Sequence, residues 1–239
     1  MKKTIIIFCL SFLSFQGIAQ ETDSTSSNSS LDLGADLVSR FVWRGMTLSA
    51  AAAVQPYIEY SYKGLTVGSW ASYTLAKDPY QEIDLYISYN KSVFTLTLND
   101  YFVILDSIGT RSGYLDLNQQ STQHALEGIL EISDIPNVPL SLTVGVMLYG
   151  ADLDMNDENY YSTYIELDYN FAIGETEASA FIGITPSEGL YADDFSIVNL
   201  GINLSREINV TDKFSVPLFG SLSINPDSEN IFFVVGVSF

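Results

Sequence analysis

The sequence predicts an all-β protein that forms a single closed antiparallel transmembrane β-barrel of about twelve strands, with short periplasmic turns and longer extracellular loops. Three observations lead to this prediction. Apolar and polar residues alternate with a period of two over many short segments, and the connections between these segments alternate between short and long. The last segment, NIFFVVGVSF (230–239), is an apolar strand that ends on a bare aromatic residue. A terminal Phe on such a strand needs an apolar environment, because the ends of soluble domains usually fray in water.

The alternation is clearest in three segments. In QEIDLYISY (81–89) the aliphatic residues occupy one face of the strand and Glu82 and Asp84 occupy the other. The same division recurs in PLSLTVGVMLY (139–149) and YYSTYIELDY (160–169). Successive side chains of a strand point to opposite faces, so each segment has one apolar and one more polar face.

Twelve such segments make up the predicted barrel. They span residues 31–44, 53–62, 64–75, 81–90, 92–105, 122–133, 139–150, 160–170, 176–185, 195–206, 212–224 and 230–239. Short connections such as YKG, NK and AIGET alternate with longer ones rich in Asp, Asn and Gly, around 43–52, 76–80, 106–121, 150–159, 186–194 and 224–230. An even strand count with both termini on the short-turn side is typical of bacterial outer-membrane barrels.

The N-terminus, MKKTIIIFCLSFLSFQGIAQ, has the three parts of a secretory signal peptide, and we expect cleavage after Ala19. The domains predicted are therefore a signal peptide at 1–19, a flexible periplasmic segment at 20–30 and the barrel at 31–239. The apolar stretch is too short to cross a bilayer as a helix, which takes roughly 20 residues. The single cysteine, Cys9, leaves with the signal, so no disulfide is expected.

The chain is strongly acidic, with a formal net charge of −19, and loss of Lys2 and Lys3 with the signal makes it −21. This charge excludes nucleic acid as a partner, because phosphate binding needs clustered Lys and Arg. The acids either keep loops solvated or attract cations, and the sequence favours neither interpretation.

The C-terminal strand can provide the apolar environment that its terminal aromatic residue needs. Phe233, Val235, Val237 and Phe239 are expected to form the lipid face of the closing strand, which pairs with the first strand because lipid tolerates no open sheet edge. This ending also resembles the signal by which the outer-membrane assembly machinery recognises its substrates, so that machinery is a predicted partner.

A soluble β-sandwich or a lipocalin-like barrel is the alternative fold, with the apolar face turned inward. The polar face argues for a wet lumen instead, since it mixes Tyr, Ser and Thr with many acids. These acids are Asp36, Glu59, Glu82, Asp84, Glu127, Glu131, Glu166 and Asp168. Together with the signal peptide, the aromatic strand ends and the terminal Phe, they favour a barrel in the outer membrane of a Gram-negative bacterium.

One stretch is similar to a known family. ADLVSRFVWRGMTLS (35–49) followed by VQPYIEYSYKGLTVGSWASY (54–73) resembles the start of the TorF family of outer-membrane porins, which carry a V-S-x-[YF]-x-W-R-G-like signature. The matching positions are Val38, Ser39, Phe41, Trp43, Arg44 and Gly45, then Gln55, Pro56, Gly64, Gly68 and Trp70. The resemblance extends over residues 31–104, including NDYF at 99–102. It implies a porin in the outer membrane and names no substrate.

The inner face of the predicted barrel supplies the candidate pore-lining residues. They are Asp36, Arg40, Arg44, Tyr57, Glu59, Trp70, Glu82, Asp84, Glu127, Glu166 and Asp168. Leu37, Phe41 and Trp43 are expected to face lipid. The opposite parity places Arg40 and Arg44 in the lumen, about 13 Å apart along the strand. The two arginines either brace the wall by neutralising lumenal acids or form a constriction that orients a polar solute.

These features predict a passive channel for small polar or cationic solutes through an acidic lumen. Barrels of about eight strands are filled by side chains and those of about 16 to 18 hold aqueous channels, so twelve strands do not by themselves imply an open pore. The alternative is a closed structural or binding barrel that acts through acidic extracellular loops. The expected partners are outer-membrane lipids and small solutes, with homo-oligomers left open, and no cofactor or enzyme activity is predicted.

A third hypothesis, an outer-membrane lipid hydrolase, depends on His124, the only histidine. Twelve-stranded phospholipases place a serine two residues after the histidine, whereas Leu126 stands there in this chain. No Asp or Asn partner for the ring can be assigned from the sequence, and we expect a polar rim residue.

The loop GADLDMNDENYY (150–161) contains hard oxygen ligands of the kind that calcium prefers. With Asp152 as the first ligand, however, Asp157 takes the place of the EF-hand glycine and Thr163 that of the bidentate glutamate. We therefore expect solvated loop acids and no metal site.

Overall fold

The structure is a computed structural model that describes residues 29–76, 80–104, 113–211 and 214–239. Within these ranges the regular elements are all strands. The strands are β1 (Ser29–Val38), β2 (Phe41–Trp43), β3 (Met46–Ser49), β4 (Ala53–Tyr62), β5 (Leu65–Thr74), β6 (Gln81–Lys91), β7 (Phe94–Ile104), β8 (His124–Ile132), β9 (Leu140–Gly150), β10 (Thr163–Ile173), β11 (Thr176–Thr185), β12 (Ser196–Thr211), β13 (Phe214–Asn225) and β14 (Asn230–Ser238). Among the residues described, no helix has the length and apolar character to cross a membrane.

Twelve of these strands, β1 and β4 to β14, form one closed antiparallel barrel, which confirms the prediction of an all-β protein with a single closed barrel of about twelve strands. Each strand pairs with its neighbour along the chain, and β14 closes the ring on β1 with Asp36 opposite Ser238 and Leu37 opposite Val237. Backbone bonds between Ala35 and Phe239 hold the last residue in the wall. The prediction that the last strand pairs with the first is therefore confirmed.

The two faces of the wall differ as the alternation predicts. On the outer face apolar side chains are exposed, for example Leu33 at 71% and Leu96 at 62%. On the inner face polar side chains such as Asp84, Asn99 and Glu127 are buried. Apolar residues thus point away from the barrel and polar residues point into it, the reverse of a soluble barrel with an apolar core.

Most strand bounds lie close to their predicted positions, and β4 and β11 have the predicted ends. The barrel begins earlier than predicted, since Ser29 and Ser30 already belong to β1 and not to a flexible segment. Residues 1–28, which include the predicted signal peptide, lie outside the described residues. The predicted loops at 76–80 and 106–121 fall partly outside them as well.

The prediction of a single strand over 31–44 is wrong. After Val38 the chain leaves the wall, with a last wall bond from the Ser39 amide to the Val235 carbonyl. β2 and β3 then pair only with each other. We call residues 41–49 the lumen hairpin.

The turn of the lumen hairpin explains why the chain reverses there. Arg44 and Gly45 both have positive φ, 48° and 76°, between the paired residues Trp43 and Met46. Two central residues of positive φ define the tight hairpin turn whose twist matches that of paired strands. A Cβ on Gly45 would lie 1.9 Å from the Val198 carbonyl oxygen, so the close approach of the tip to β12 requires glycine.

The lumen hairpin lies inside the barrel. At its base the Phe41 ring packs on Trp70 of β5, with 5.4 Å between ring centroids. Farther along, Trp43 packs edge-on against Tyr101 of β7 at 5.6 Å. Because Phe41 and Trp43 contact inner-wall residues, the prediction that they face lipid is wrong.

Candidate functional site

The centre of the candidate site is an ion pair between the hairpin tip and the wall. Arg44 Nη1 lies 2.5 Å from Glu127 Oε1, and Nη2 lies 3.1 Å from Oε2, so the guanidinium binds the carboxylate of β8 with both branches. The two side chains are 5% and 0% exposed. A buried pair of this kind is stable only while both charges are present, because each compensates the desolvation of the other.

Two tyrosines complete the hydrogen bonds of this pair. The Tyr101 hydroxyl donates to Glu127 Oε2 at 2.6 Å, and Arg44 Nη1 donates to the Tyr191 hydroxyl oxygen at 2.5 Å. Tyr191 belongs to the loop between β11 and β12. Burial raises the pKa of Tyr191, and the Arg44 guanidinium opposes this only in part, so the phenol stays neutral and accepts the bond.

Aromatic rings surround the same guanidinium. Arg44 Cζ lies 4.6 Å from the centroid of the Trp43 ring, 4.7 Å from that of Tyr164 and 5.8 Å from that of Tyr191. Each cation–π contact within about 6 Å stabilises a cation by roughly 0.5–2 kcal/mol, depending on its exposure to water. The guanidinium therefore lies in a cage made of one carboxylate and three rings.

Two features allow the tip to dock so closely. Gly145 of β9 lies directly against the ion pair, because an added Cβ there would be 2.2 Å from Glu127 Oε1 and 2.9 Å from Arg44 Nη2. At the turn itself, Asn225 Nδ2 of β13 donates to the Gly45 carbonyl oxygen at 3.1 Å. The tip thus contacts β8, β10, β12 and β13, and it reaches across the lumen from β1.

A cavity of about 180 Å³ lies beside the hairpin. Acidic side chains from β1, β6 and β10 line it, together with rings from the hairpin and from four wall strands. The acids are Asp36, Glu82, Asp84 and Glu166, and the rings are Phe41, Trp43, Trp70, Tyr101, Phe181 and Phe219. Arg40 and Arg44 also line the cavity.

The structure brings most of the predicted pore-lining residues together. Asp36, Arg40, Arg44, Trp70, Glu82, Asp84 and Glu166 line this one cavity, and Glu127 joins them through Arg44. Tyr57, Glu59 and Asp168 lie elsewhere on the inner wall, where Glu59 accepts a hydrogen bond from Tyr86 at 2.5 Å and Asp168 is buried. The two arginines do not lie along one wall strand as predicted, because the chain turns inward after Val38.

Several residues of the site were not identified from the sequence. Tyr101 and Tyr164 have the inward parity of Glu127 and Glu166, so the alternation could have indicated them. Tyr191 lies in an irregular loop, and Asn225 is the last residue of β13. Nothing in the local sequence of these two residues indicates contact with residues 44 and 45.

The predicted assembly-signal residues lie on the outer face of β14. Phe233 and Phe239 are 65% and 68% exposed, Val235 is also exposed and Val237 is half-buried. Their recognition by the assembly machinery stays a prediction.

His124 is buried on the outer face of β8. Its Nδ1 lies 2.8 Å and 2.9 Å from the two carboxylate oxygens of Asp100 on β7, and its Nε2 lies 2.7 Å from the Tyr114 carbonyl oxygen. Both ring nitrogens of His124 thus contact acceptor oxygens. The contact with the Tyr114 carbonyl oxygen ties residues 113–123 to the wall.

The sequence did not identify Asp100 as the partner of His124. Asp100 has the same outward parity in β7 as Leu98 and Phe102, and this parity could have indicated that it lies on the same face as His124. For the third hypothesis, a lipid hydrolase, Asp100 is an acidic partner of His124, but among the described residues no hydroxyl bonds to the imidazole nitrogens.

The acids of the loop after β9 form bonds within that loop. Asp152 accepts hydrogen bonds from the amide and hydroxyl of Ser162, at 2.9 Å and 2.5 Å. Asp154 accepts from the amides of Glu158 and Asn156, and these bonds lower the pKa of Asp154. In the part of the chain that the structure describes, no group of three or more His, Cys, Asp or Glu residues could hold a metal ion.

Comparison with known protein families gives a match over most of the chain. A family described as "Bacterial protein of unknown function (Gcw_chp)" matches residues 21–216, which include the lumen hairpin and most of the wall. No curated protein matches the chain.

Proposed function

We propose that this protein, which belongs to the Gcw_chp family of bacterial proteins of unknown function, is an outer-membrane channel for small polar or cationic solutes that the lumen hairpin holds closed. The observation that carries the proposal is the docking of a hairpin tip across the lumen through Arg44 and Glu127.

The outer-membrane part of the proposal is supported by the distribution of side chains over the barrel. A closed ring leaves no open sheet edge for lipid, its outer face is apolar and its inner face is polar. In water the exposed apolar outer face would be unfavourable, whereas in a bilayer it is solvated by lipid. The resemblance of residues 31–104 to TorF-family porins points to the same location and to a role in transport.

The preference for cations is supported by the charge of the cavity. Four carboxyl groups and two guanidinium groups line it, and one of the guanidiniums is already matched by Glu127 outside the lining. Acids in a narrow, poorly solvated passage raise the local concentration of cations and exclude anions.

The gating part of the proposal is supported by the way in which the hairpin is attached. β2 and β3 form a separate two-stranded sheet, and side-chain contacts and the Asn225 bond hold the tip to the wall. The hairpin can therefore undock without loss of strand pairing in the barrel, as in other switches that move one segment between two positions.

Single-channel recording in a planar bilayer tests the proposal. Val38 and Ala53 are directly paired in the wall, so a two-residue Asn-Gly turn can replace residues 39–52 without disturbing β1 or β4. We expect rare, brief openings from the wild type and large, steady, cation-selective steps from the shortened variant, with selectivity read from the reversal potential in a KCl gradient.

Gel migration with and without boiling provides the folding control for both proteins, since a folded outer-membrane barrel migrates differently before heating. A folded shortened variant that shows no conductance steps would refute the channel and favour the closed binding barrel. Anion-selective steps would refute the preference for cations.

A further inference from the structure

We infer that the cavity beside the lumen hairpin is a binding site for small primary alkylammonium ions. The inference rests on the proposed function, because it assigns a class of solute to the same lumen.

Two buried oxygen atoms in the cavity lack hydrogen-bond partners within the described ranges. They are Asp84 Oδ1 and Asn199 Oδ1, on side chains of residues that are 2% and 8% exposed. Buried polar atoms in folded proteins are nearly always bonded, so both oxygens indicate a missing donor. A buried carboxylate oxygen without a donor is especially unfavourable and stabilises a cation or a proton beside it.

The other acids of the cavity already have donors. Ser238 donates to Asp36 at 2.6 Å, Tyr80 donates to Glu82 at 2.7 Å, and Tyr164 donates to Glu166. The Asp84 carboxylate also interacts with the Asn99 side chain and the Phe102 backbone, so the missing donor concerns its Oδ1 atom alone. Asn99 Oδ1 and Asp168 Oδ1 also lack partners on the inner wall, but Asp84 Oδ1 and Asn199 Oδ1 are the two such oxygens among the residues that line the cavity.

The orientation of Asn199 is set by its neighbours. Its Nδ2 donates to the Tyr164 hydroxyl oxygen at 3.0 Å and to Glu166 Oε2 at 3.1 Å, which leaves the carbonyl oxygen as an acceptor. β12 and β6 lie on opposite sides of the ring of strands. Asn199 and Asp84 thus offer acceptors from opposite walls of the cavity.

Aromatic rings next to these acceptors favour an organic cation. Trp70 is the direct cross-strand neighbour of Asp84, and Phe181 and Phe219 line the same cavity. An alkylammonium ion can donate to the carboxylate while its ammonium and alkyl groups contact the rings. A metal ion would need several ligands together, and the described residues contain no group of three or more His, Cys, Asp or Glu residues that could hold one.

The lumen hairpin gives a second example of the same chemistry. Arg44 is an organic cation held by one carboxylate and by rings that include Trp43 and Tyr164. The cavity beside it repeats this combination with Asp84 and Trp70, but without a protein cation at Asp84 Oδ1.

The size of the cavity restricts the ligand. One ordered water needs roughly 10–15 Å³ on the same measure, so about 180 Å³ holds on the order of a dozen waters or one small solute. Short alkylammonium ions fit, whereas peptides do not.

Tryptophan fluorescence provides a direct test, because the chain has two tryptophans, Trp43 and Trp70, and both line the cavity. The refolded protein is titrated with butylammonium chloride in a neutral maltoside detergent, with 1-butanol and KCl as controls. We expect a saturable fluorescence change with butylammonium and none with butanol or potassium at the same concentrations. Equal responses to the amine and the alcohol would overturn the inference without any variant.

Variants locate the site. Asp84→Asn removes the charge at the unpartnered oxygen and should weaken butylammonium binding by about tenfold or more, the range expected for a hydrogen bond to a charged group. Asp157→Asn, in an exposed loop, makes the same chemical change and should leave binding unchanged. Undiminished binding by a folded Asp84→Asn variant would also overturn the inference.

The outcomes separate the inference from the proposed function. A shortened variant that conducts cations while wild-type protein shows no saturable amine binding would refute the binding site alone. Amine binding by a protein whose shortened variant is silent would refute the channel and leave a closed barrel with a ligand site.

Discussion

Glu127→Gln should release the lumen hairpin without unfolding the barrel. The substitution preserves the shape of the side chain but removes its charge, so Arg44 loses a bidentate carboxylate while it remains buried. Removal of one partner from a buried ion pair costs about 3–5 kcal/mol. At about 1.4 kcal/mol per factor of ten, the lower limit shifts the equilibrium between docked and undocked hairpin by about 150-fold.

The shift can be followed by fluorescence and by conductance. In a Trp70→Phe background Trp43 is the remaining tryptophan, and in the docked state its ring packs against tyrosines. Glu127→Gln should move its emission toward that of a solvated indole and raise the open probability of the channel by a similar factor. Glu175→Gln is the matched control, because its pair with Arg206 is exposed and contributes less than about 1 kcal/mol.

A double-mutant cycle separates the ion pair from other effects. Replacement of both charges by Arg44→Met together with Glu127→Gln should cost less than the sum of the single changes, since no unpaired charge remains. Unchanged emission and conductance in a folded Glu127→Gln variant would refute the reasoning that this pair holds the hairpin.

Three further predictions concern the turn, the outer clamp and the last residue. Gly45→Ala should undock the hairpin at a cost of more than about 1 kcal/mol, because the new Cβ would collide with the Val198 carbonyl. Gly174 also has positive φ but open space where a Cβ would lie, so Gly174→Ala should show only the backbone strain. Equal effects of the two substitutions on thermal unfolding would contradict the collision. His124→Ala should increase the rate of proteolysis within 113–123 by about tenfold while single-channel conductance stays the same, and a loss of esterase activity in this variant would instead favour the lipid hydrolase. Deletion of Phe239 should reduce the heat-modifiable fraction in the outer membrane severalfold, and normal assembly would exclude the terminal aromatic as the signal.

The wall of the barrel could be predicted from the sequence because its determinants are local. Each strand carries its own period-two alternation, and the number and the approximate ends of the strands follow from it. The inward direction of Asp36, Glu82, Asp84, Glu127 and Glu166 follows from the same parity. These assignments need no knowledge of which distant residues meet.

The segment after Val38 shows where this reasoning fails. Phe41 and Trp43 continue the parity of Leu37, so the alternation alone extends the first strand to Arg44. The turn chemistry of Arg44 and Gly45 competes with that pattern, and a short hairpin has alternation of its own. Period two therefore does not distinguish a strand in the wall from a strand inside it.

The sequence by itself determined that this chain forms a closed barrel with an apolar outer face and an acidic inner face, because side-chain direction in a strand depends on position alone. Only the tertiary structure decided that residues 41–49 fill the lumen. Arg44 meets Glu127 and Tyr191 across 83 and 147 residues of chain, and neither partner is indicated near the turn. The physical reason is that a buried guanidinium is stable only where a carboxylate and hydrogen-bond acceptors converge on it, and that convergence exists only once the ring has closed.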